Sequence, residues 1–142
     1  MSETLQTVML FGSFDGLHPG HEYLIGQART HGDHLVIVVA PDSVIAKTKN
    51  QEPWYEEQER VAQLTAMVSD ATVVVGDEIE GKWTPIHQYQ PDTIVIGYDQ
   101  DALKRALEEI KTDYHFSIVQ VDALEPENYK SSIIRQQKTV NQ

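Results

Sequence analysis

Residues 11–21 read Phe11-Gly12-Ser13-Phe14-Asp15-Gly16-Leu17-His18-Pro19-Gly20-His21, and they join an apolar run to a helical pattern. The apolar run begins at Val8, and the helical pattern continues to Arg29. We therefore expect a strand that ends in a glycine-rich turn, with a helix beginning directly after it. Such a junction exposes backbone N–H groups at the positive end of a helix dipole, where anions bind. The pattern predicts a phosphate site that includes His18 and His21.

The rest of the chain alternates strand-like and helix-like segments. Several strand-like segments are unbroken Val/Ile/Leu runs, which are typical of parallel strands covered on both faces. The pattern predicts an α/β fold, a Rossmann-like doubly wound five-stranded parallel sheet in a single domain over residues 1–142. Residues 47–52 are polar and are interpreted as a loop. Strands are expected at 7–11, 34–40, 72–75, 93–97 and 116–121, and helices at 21–30, 55–68, 84–90, 101–112 and 131–138.

In a doubly wound sheet, ligands bind beyond the carboxyl ends of the strands, at the point where the strand order reverses. The glycine turn after the first strand lies at such an end, and so does the segment 97–100 after the fourth strand. Ser131 and Ser132, at the start of the last predicted helix, are expected to face the same crevice.

Charge and composition limit the classes of partner. The chain carries 22 acidic against 11 basic residues, a formal net charge of −11, and it has no cysteine. We expect no nucleic-acid partner, because such a chain repels polyanions unless basic residues are concentrated in one patch. No apolar run approaches the roughly 18 residues that span a membrane, so no membrane partner is expected either. The polar N-terminus does not resemble a signal peptide, and the missing cysteines fit a cytoplasmic protein.

Most of the candidate residues also have a structural interpretation. His18 and His21 fit half of a metal site, but a zinc site needs a further ligand, so phosphate binding is favoured. Lys47 and Lys49 fit solvated lysines, and Arg60 fits an ion pair with a glutamate on its own helix. Asp15 suits a turn-stabilising role better than direct catalysis. The two serines fit an ordinary helix N-cap, which is compatible with phosphate binding.

The motif at residues 12–21 resembles the G-[TS]-F-D-x-x-H-x-G-H signature of the cytidylyltransferase-like nucleotidyltransferases. The resemblance extends along the chain. Lys47 and Lys49 correspond to a lysine-bearing loop after the second strand, and residues 57–60 are similar to an E-x-x-R segment. The segment 97–100 is similar to a G-x-D motif, and residues 131–134 to a serine/threonine pair that opens the last helix.

The resemblance implies the HxGH nucleotidyltransferase fold and assigns roles to residues. His18, His21 and Lys47 are the implied catalytic residues, acting on the phosphate oxygens as charge builds there. No protein metal site is implied, and Mg²⁺ is expected to arrive with the nucleoside triphosphate and bridge its phosphate oxygens. The implied nucleotide-binding residues are Phe11, Gly12, Ser13, Phe14, Gly20, Arg60, Gly97, Tyr98, Asp99, Ser131 and Ser132.

Within this family the motifs resemble archaeal-type FAD synthase most, which implies ATP and FMN as substrates. The alternative is glycerol-3-phosphate cytidylyltransferase, or an enzyme for a related phospho-alcohol, with CTP as donor. A catalytically silent nucleotide-binding module is a third alternative. Family members often form homodimers, which is a further expectation for this chain.

Overall fold

A computed structural model of the chain describes residues 6–122, which form one five-stranded parallel sheet with helices around it. The α/β prediction is confirmed, while a domain over residues 1–142 stays a prediction because it reaches past the described part. The predicted helix at 131–138 also lies outside the described residues. The elements are β1 (Thr7–Gly12), α1 (Pro19–Arg29), β2 (His34–Val39), α2 (Asp42–Lys49), α3 (Glu57–Met67), β3 (Thr72–Val75), α4 (Thr84–Tyr89), β4 (Thr93–Ile96), α5 (Asp101–Tyr114) and β5 (Ser117–Gln120).

The strand order is β3-β2-β1-β4-β5, so the chain first builds outward from β1 and then crosses to its other side. The order therefore reverses between β1 and β4, and ligands of such sheets bind at the carboxyl ends there. β1 pairs with β2 along six positions, whereas it pairs with β4 only at Val8 and Met9. Beyond that short ladder the two strands no longer pair.

Both faces of the sheet are covered, as the unbroken apolar runs predict. Successive side chains of a strand point to opposite faces, and β1 divides in this way. Leu10 packs in one core cluster with Ile37 of β2, and Met9 packs in the other with Ile94 of β4. Within residues 6–122, no helix combines the length and the apolar character that crossing a bilayer requires.

Helix α2 is the element that the sequence interpretation missed. The expectation that Lys47 and Lys49 lie in a loop is wrong, since α2 runs through both and ends where Asn50 adopts a left-handed conformation. The helix has eight residues, of which only Ile45 is buried, so it leaves no apolar periodicity to read. Its N-cap, Pro41, also makes no side-chain capping bond, so no start signal marks the helix.

Candidate active site

The turn between β1 and α1 is built around a reciprocal cap made by the two histidines. His18 is the N-cap residue of α1, and its Nδ1 accepts a hydrogen bond from the Gly20 N–H at 3.0 Å. His21 completes the cap, because its Nδ1 accepts from the His18 N–H at 3.2 Å. Pro19 lies at the first helical position, where no amide hydrogen is needed. Two N–H groups of the helix end are thus satisfied by imidazoles.

This cap determines which ring nitrogen of each histidine carries the proton. A neutral imidazole whose Nδ1 accepts a hydrogen bond has its proton on Nε2. Burial lowers the pKa of His21 to about 3, with smaller contributions from the charges of His18 and Lys49. Partial burial also lowers the pKa of His18. Both rings are therefore neutral at pH 7, and each has one N–H donor at Nε2.

Aromatic packing holds the histidine rings in place. The rings of His18 and His21 stack with centroids 3.9 Å apart, and Phe14 packs against His21 at 5.2 Å. Phe14 is buried and adopts a positive φ of 51°, which folds its ring back over β1. A Cβ added at Gly12 would lie 2.8 Å from Phe14 Cε2, so this approach requires glycine. The first glycine of the motif thus allows the packing that orients the second histidine.

A cavity of about 660 Å³ opens beside this turn, at the carboxyl ends of the strands. Of the predicted site residues, Phe11, Gly12, Ser13 and Lys47 line it. Predicted residues Phe14 and Gly20 belong instead to the turn itself, as ring support and as donor to His18. The other lining residues are Val38, Val39, Ala40, Pro41, Val44, Thr48, Gly76, Asp77, Glu78, Ile79, Glu80, Gly81, Lys82, Trp83, Pro85, Gln100 and Leu103.

Helix α2 brings two lysines to the site from the same last turn. Lys47 lines the cavity, and Lys49 is close enough for its charge to lower the pKa of His21. Both side chains are exposed, so both ammonium groups are solvated and charged. The structure thus places positive charge on the cavity side and on the histidine side of the turn, where a polyphosphate needs it.

Arg60 on α3 is fully buried, and its guanidinium group holds the backbone around the site through a set of hydrogen bonds, here called the brace. Its Nη1 donates to the Ser13 carbonyl at 2.8 Å and to the Ala40 carbonyl at 2.7 Å. Its Nε donates to the Tyr55 carbonyl at 2.9 Å, and its Nη2 pairs with Asp42 Oδ1 at 2.7 Å. The expected pairing with a glutamate on its own helix is therefore not observed. A direct contact between Arg60 and a triphosphate stays a prediction.

Three carboxylates belong to this brace, and the sequence gives no sign of one of them, Asp42. Glu57 Oε1 accepts from the Asp42 N–H at 2.8 Å, so Asp42, at the start of α2, is held through both its backbone and its side chain. Asp15 accepts from the N–H groups of Trp54 at 2.7 Å and Tyr55 at 2.9 Å, which supports its expected structural role. Asp42 gave no signal because its partners lie 15 and 18 positions away.

The turn after β4 carries three predicted nucleotide-binding residues, Gly97, Tyr98 and Asp99. Tyr98 is 60% exposed, and none of these three residues lines the cavity described above. Gln100 was not predicted as a site residue, yet it connects the two turns. Its Oε1 accepts from the Gly97 N–H at 2.7 Å, and its Nε2 donates to the Phe11 carbonyl at 2.9 Å.

Two further expectations concern the serine pair and the metal ion. Ser131 and Ser132, the predicted triphosphate ligands, lie outside the described residues. Between residues 6 and 122, no group of three or more His, Cys, Asp or Glu side chains is arranged to hold a metal ion.

Comparisons with known proteins agree with this geometry. A family model described as cytidylyltransferase-like matches residues 9–137. The chain is 36% identical over 107 residues to an FAD synthase of Methanosarcina acetivorans, covering 75% of this chain and 69% of that protein. An FAD synthase of Methanosarcina mazei is 35% identical over 98 residues, covering 69% of this chain and 63% of that protein.

Solved structures show the same fold. A lipopolysaccharide core biosynthesis protein from Thermoplasma volcanium superimposes with a TM-score of 0.73 at 28% identity, covering 87% of this chain and 99% of that one. Pantoate-beta-alanine ligase from Francisella tularensis superimposes with a TM-score of 0.61 at 12% identity, covering 99% of this chain and 71% of that one, and supports the fold alone. The histidine turn, the fold and the family match lead to one conclusion: this chain belongs to the cytidylyltransferase-like family.

Proposed function

We propose that this protein is an FMN adenylyltransferase, which transfers AMP from ATP to the phosphate of FMN and releases pyrophosphate. The proposal depends above all on the paired neutral histidines at the β1–α1 turn, next to a cavity lined by Lys47. The similarity to archaeal FAD synthases supports FMN and ATP as the substrates.

The reaction is an in-line displacement at phosphorus. An oxygen of the FMN phosphate attacks the α-phosphorus of ATP, a new P–O bond forms, and the bond to the bridging α–β oxygen breaks. Both electrons of the broken bond leave with pyrophosphate. No covalent intermediate with the protein is needed, so catalysis consists of positioning and of stabilising charge on the phosphate oxygens.

The residues at the turn match that task. The Nε2–H groups of His18 and His21 donate to the α-phosphate oxygens, and the donors are held rigidly by the caps at Nδ1. Lys47 approaches from α2 and offsets charge on the α-phosphate and on the attacking phosphate. Ser13 and the Gly12 backbone hold the triphosphate, together with Ser131 or Ser132.

The nucleoside is proposed to lie at the turn after β4, against Gly97, Tyr98 and Asp99. Mg²⁺ would arrive with the triphosphate and would supply further neutralisation of its charge when bound. We also propose that the protein works in the cytoplasm, without nucleic-acid or membrane partners, and that it forms a homodimer. Equilibrium sedimentation checks the oligomeric state.

The test is a matrix of donors and acceptors with purified protein and Mg²⁺. ATP and CTP are each paired with FMN, glycerol 3-phosphate and phosphoethanolamine, and pyrophosphate release is measured. We expect rapid release from ATP with FMN. Release from CTP with glycerol 3-phosphate would establish the alternative cytidylyltransferase. Tight nucleotide binding with no release from any pair would establish the silent nucleotide-binding module.

A further inference from the structure

The cavity lining divides by chemistry into three groups. Ser13 and Thr48 offer hydroxyl groups, and Lys47 and Lys82 offer ammonium groups. Asp77, Glu78 and Glu80 contribute carboxylates. The phosphate of an acceptor is repelled by the carboxylates, so it belongs beside Lys47 on α2 rather than beside Lys82, which lies two positions after Glu80. The uncharged body of the acceptor is left with the apolar group, which includes Phe11, Val44, Trp83, Pro85 and Leu103.

Trp83 is held in a conformation that bulky residues rarely adopt. Its backbone is left-handed, with φ 57° and ψ 37°, and it makes no side-chain capping bond to α4. Two neighbouring features keep it there: Asp77 Oδ2 accepts from the Thr84 N–H at 2.8 Å, and Pro85 stiffens the first turn of α4. Strained backbone of this kind persists only where its surroundings over-determine it, and it concentrates at ligand sites.

The strain places the indole at a defined point of the cavity. Trp83 packs edge-to-face on Phe11 with ring centroids 6.0 Å apart and an interplanar angle of 87°. Trp83 is only partly buried, which leaves indole surface free within the lining. An aromatic surface fixed by a second ring, with little freedom left to lose, is a suitable platform for stacking a planar ligand.

We propose that Trp83 determines acceptor specificity by stacking against the planar ring system of the phosphate-bearing acceptor. The inference rests on the proposed function, to which it adds the residue that selects the acceptor. A cavity of about 660 Å³ is of the size that encloses a drug-sized ligand, far beyond a three-carbon phospho-alcohol. Trp83 therefore favours FMN over glycerol 3-phosphate by a contact that only a flat ring makes.

Steady-state kinetics of Trp83→Leu and Trp83→Phe test the proposal. Loss of the ring in Trp83→Leu raises the KM for FMN about tenfold, the value of one aromatic stack, and leaves the KM for ATP unchanged. Trp83→Phe keeps a ring and raises the KM for FMN less than about threefold. Trp54→Leu is the matched control, since Trp54 is 76% exposed and lies outside the cavity lining. Thermal melts check that each variant folds.

A binding measurement separates this inference from the proposed function. The chain has two tryptophans, so Trp54→Phe leaves Trp83 as the sole indole emitter. We expect FMN and riboflavin to quench this emission saturably, and glycerol 3-phosphate to leave it unchanged. Turnover of FMN with an unchanged KM in Trp83→Leu would overturn the role of Trp83 while the proposed function stands. Saturable flavin quenching without any turnover of FMN would overturn the function and support the stacking site.

Discussion

Acidification should destabilise the fold through His21. The pKa of this side chain is lowered from 6.5 to about 3 in the folded protein, so between these values the unfolded chain binds the extra proton. Stability from this group is therefore present above pH 6.5 and is lost as the pH falls toward 3. Linkage gives a loss of about 2 kcal/mol between pH 7 and pH 5 for a single group with these two pKa values.

The structure also gives the reason for the loss. In the neutral state, Nδ1 of His21 accepts a hydrogen bond from the His18 N–H. Protonation puts a hydrogen on this nitrogen, so the hydrogen bond is replaced by repulsion between two N–H groups. The cation also lies 3.9 Å from the His18 ring and close to the charge of Lys49. The half of the reciprocal cap that His21 makes is lost with the proton uptake.

Urea unfolding at pH 7 and pH 5 measures the effect, with His21→Gln as the reference. Glutamine keeps a carbonyl acceptor and an N–H donor but does not titrate. The wild type should lose about 2 kcal/mol more than His21→Gln over this interval, because the other acidic and basic groups are common to both proteins. If both proteins lose the same free energy of unfolding between pH 7 and pH 5, the conclusion that His21 is buried and neutral is wrong.

Three further predictions concern the residues around the turn. Lys47→Ala should lower kcat on the order of a hundredfold, because the ammonium group acts mainly on charge that forms in the transition state. The ATP dissociation constant, measured by calorimetry, should change little. A loss confined to ATP affinity would instead assign Lys47 to binding of the ground state. Arg60→Lys should destabilise the fold by about 3 kcal/mol in urea, because lysine cannot reproduce a buried planar fork that donates to four part-buried acceptors. The control Arg105→Lys, at an exposed position, should change stability by less than about 0.5 kcal/mol, and similar losses in both variants would contradict the brace. Gly12→Ala should cost about 1–3 kcal/mol, because the methyl group displaces Phe14 from its place under His21; Gly26→Ala, where a Cβ meets nothing within 4 Å, should be neutral or stabilising.

The sheet could be predicted from the sequence because its information is local. All five strands are Val/Ile/Leu-rich, and each predicted strand lies within two residues of the observed one. The histidine turn was equally readable, since the residues that build the cap lie within four positions of one another. Helix α2 could not be predicted from the sequence, because long-range contacts at Asp42 fix where it begins.

The side-chain braces of the site could not be predicted, for the same physical reason. Spacing along α3 suggested that Arg60 pairs with a neighbouring glutamate, but its acceptors include the Ser13 carbonyl, 47 positions away. The amide of Gln100 reaches the Phe11 carbonyl, 89 positions away. Every residue has a backbone carbonyl, so the sequence does not show which carbonyl a side chain will bind. Such an interaction can be identified only from the three-dimensional structure.

The boundary between β1 and β4, where only Val8 and Met9 of β1 pair, is a seam in the sheet. At its amino end the seam is closed by Asp92, whose N–H donates to the Thr7 carbonyl and whose Oδ2 accepts from the Thr7 N–H, both at 2.8 Å. At the other end the side-chain amide of Gln100 hydrogen-bonds to the Gly97 N–H and to the Phe11 carbonyl. Gln100 thus ties the turn after β4 to the strand that leads into the histidine turn, so loss of this one amide would uncouple the position of the Tyr98 turn from that of the histidines.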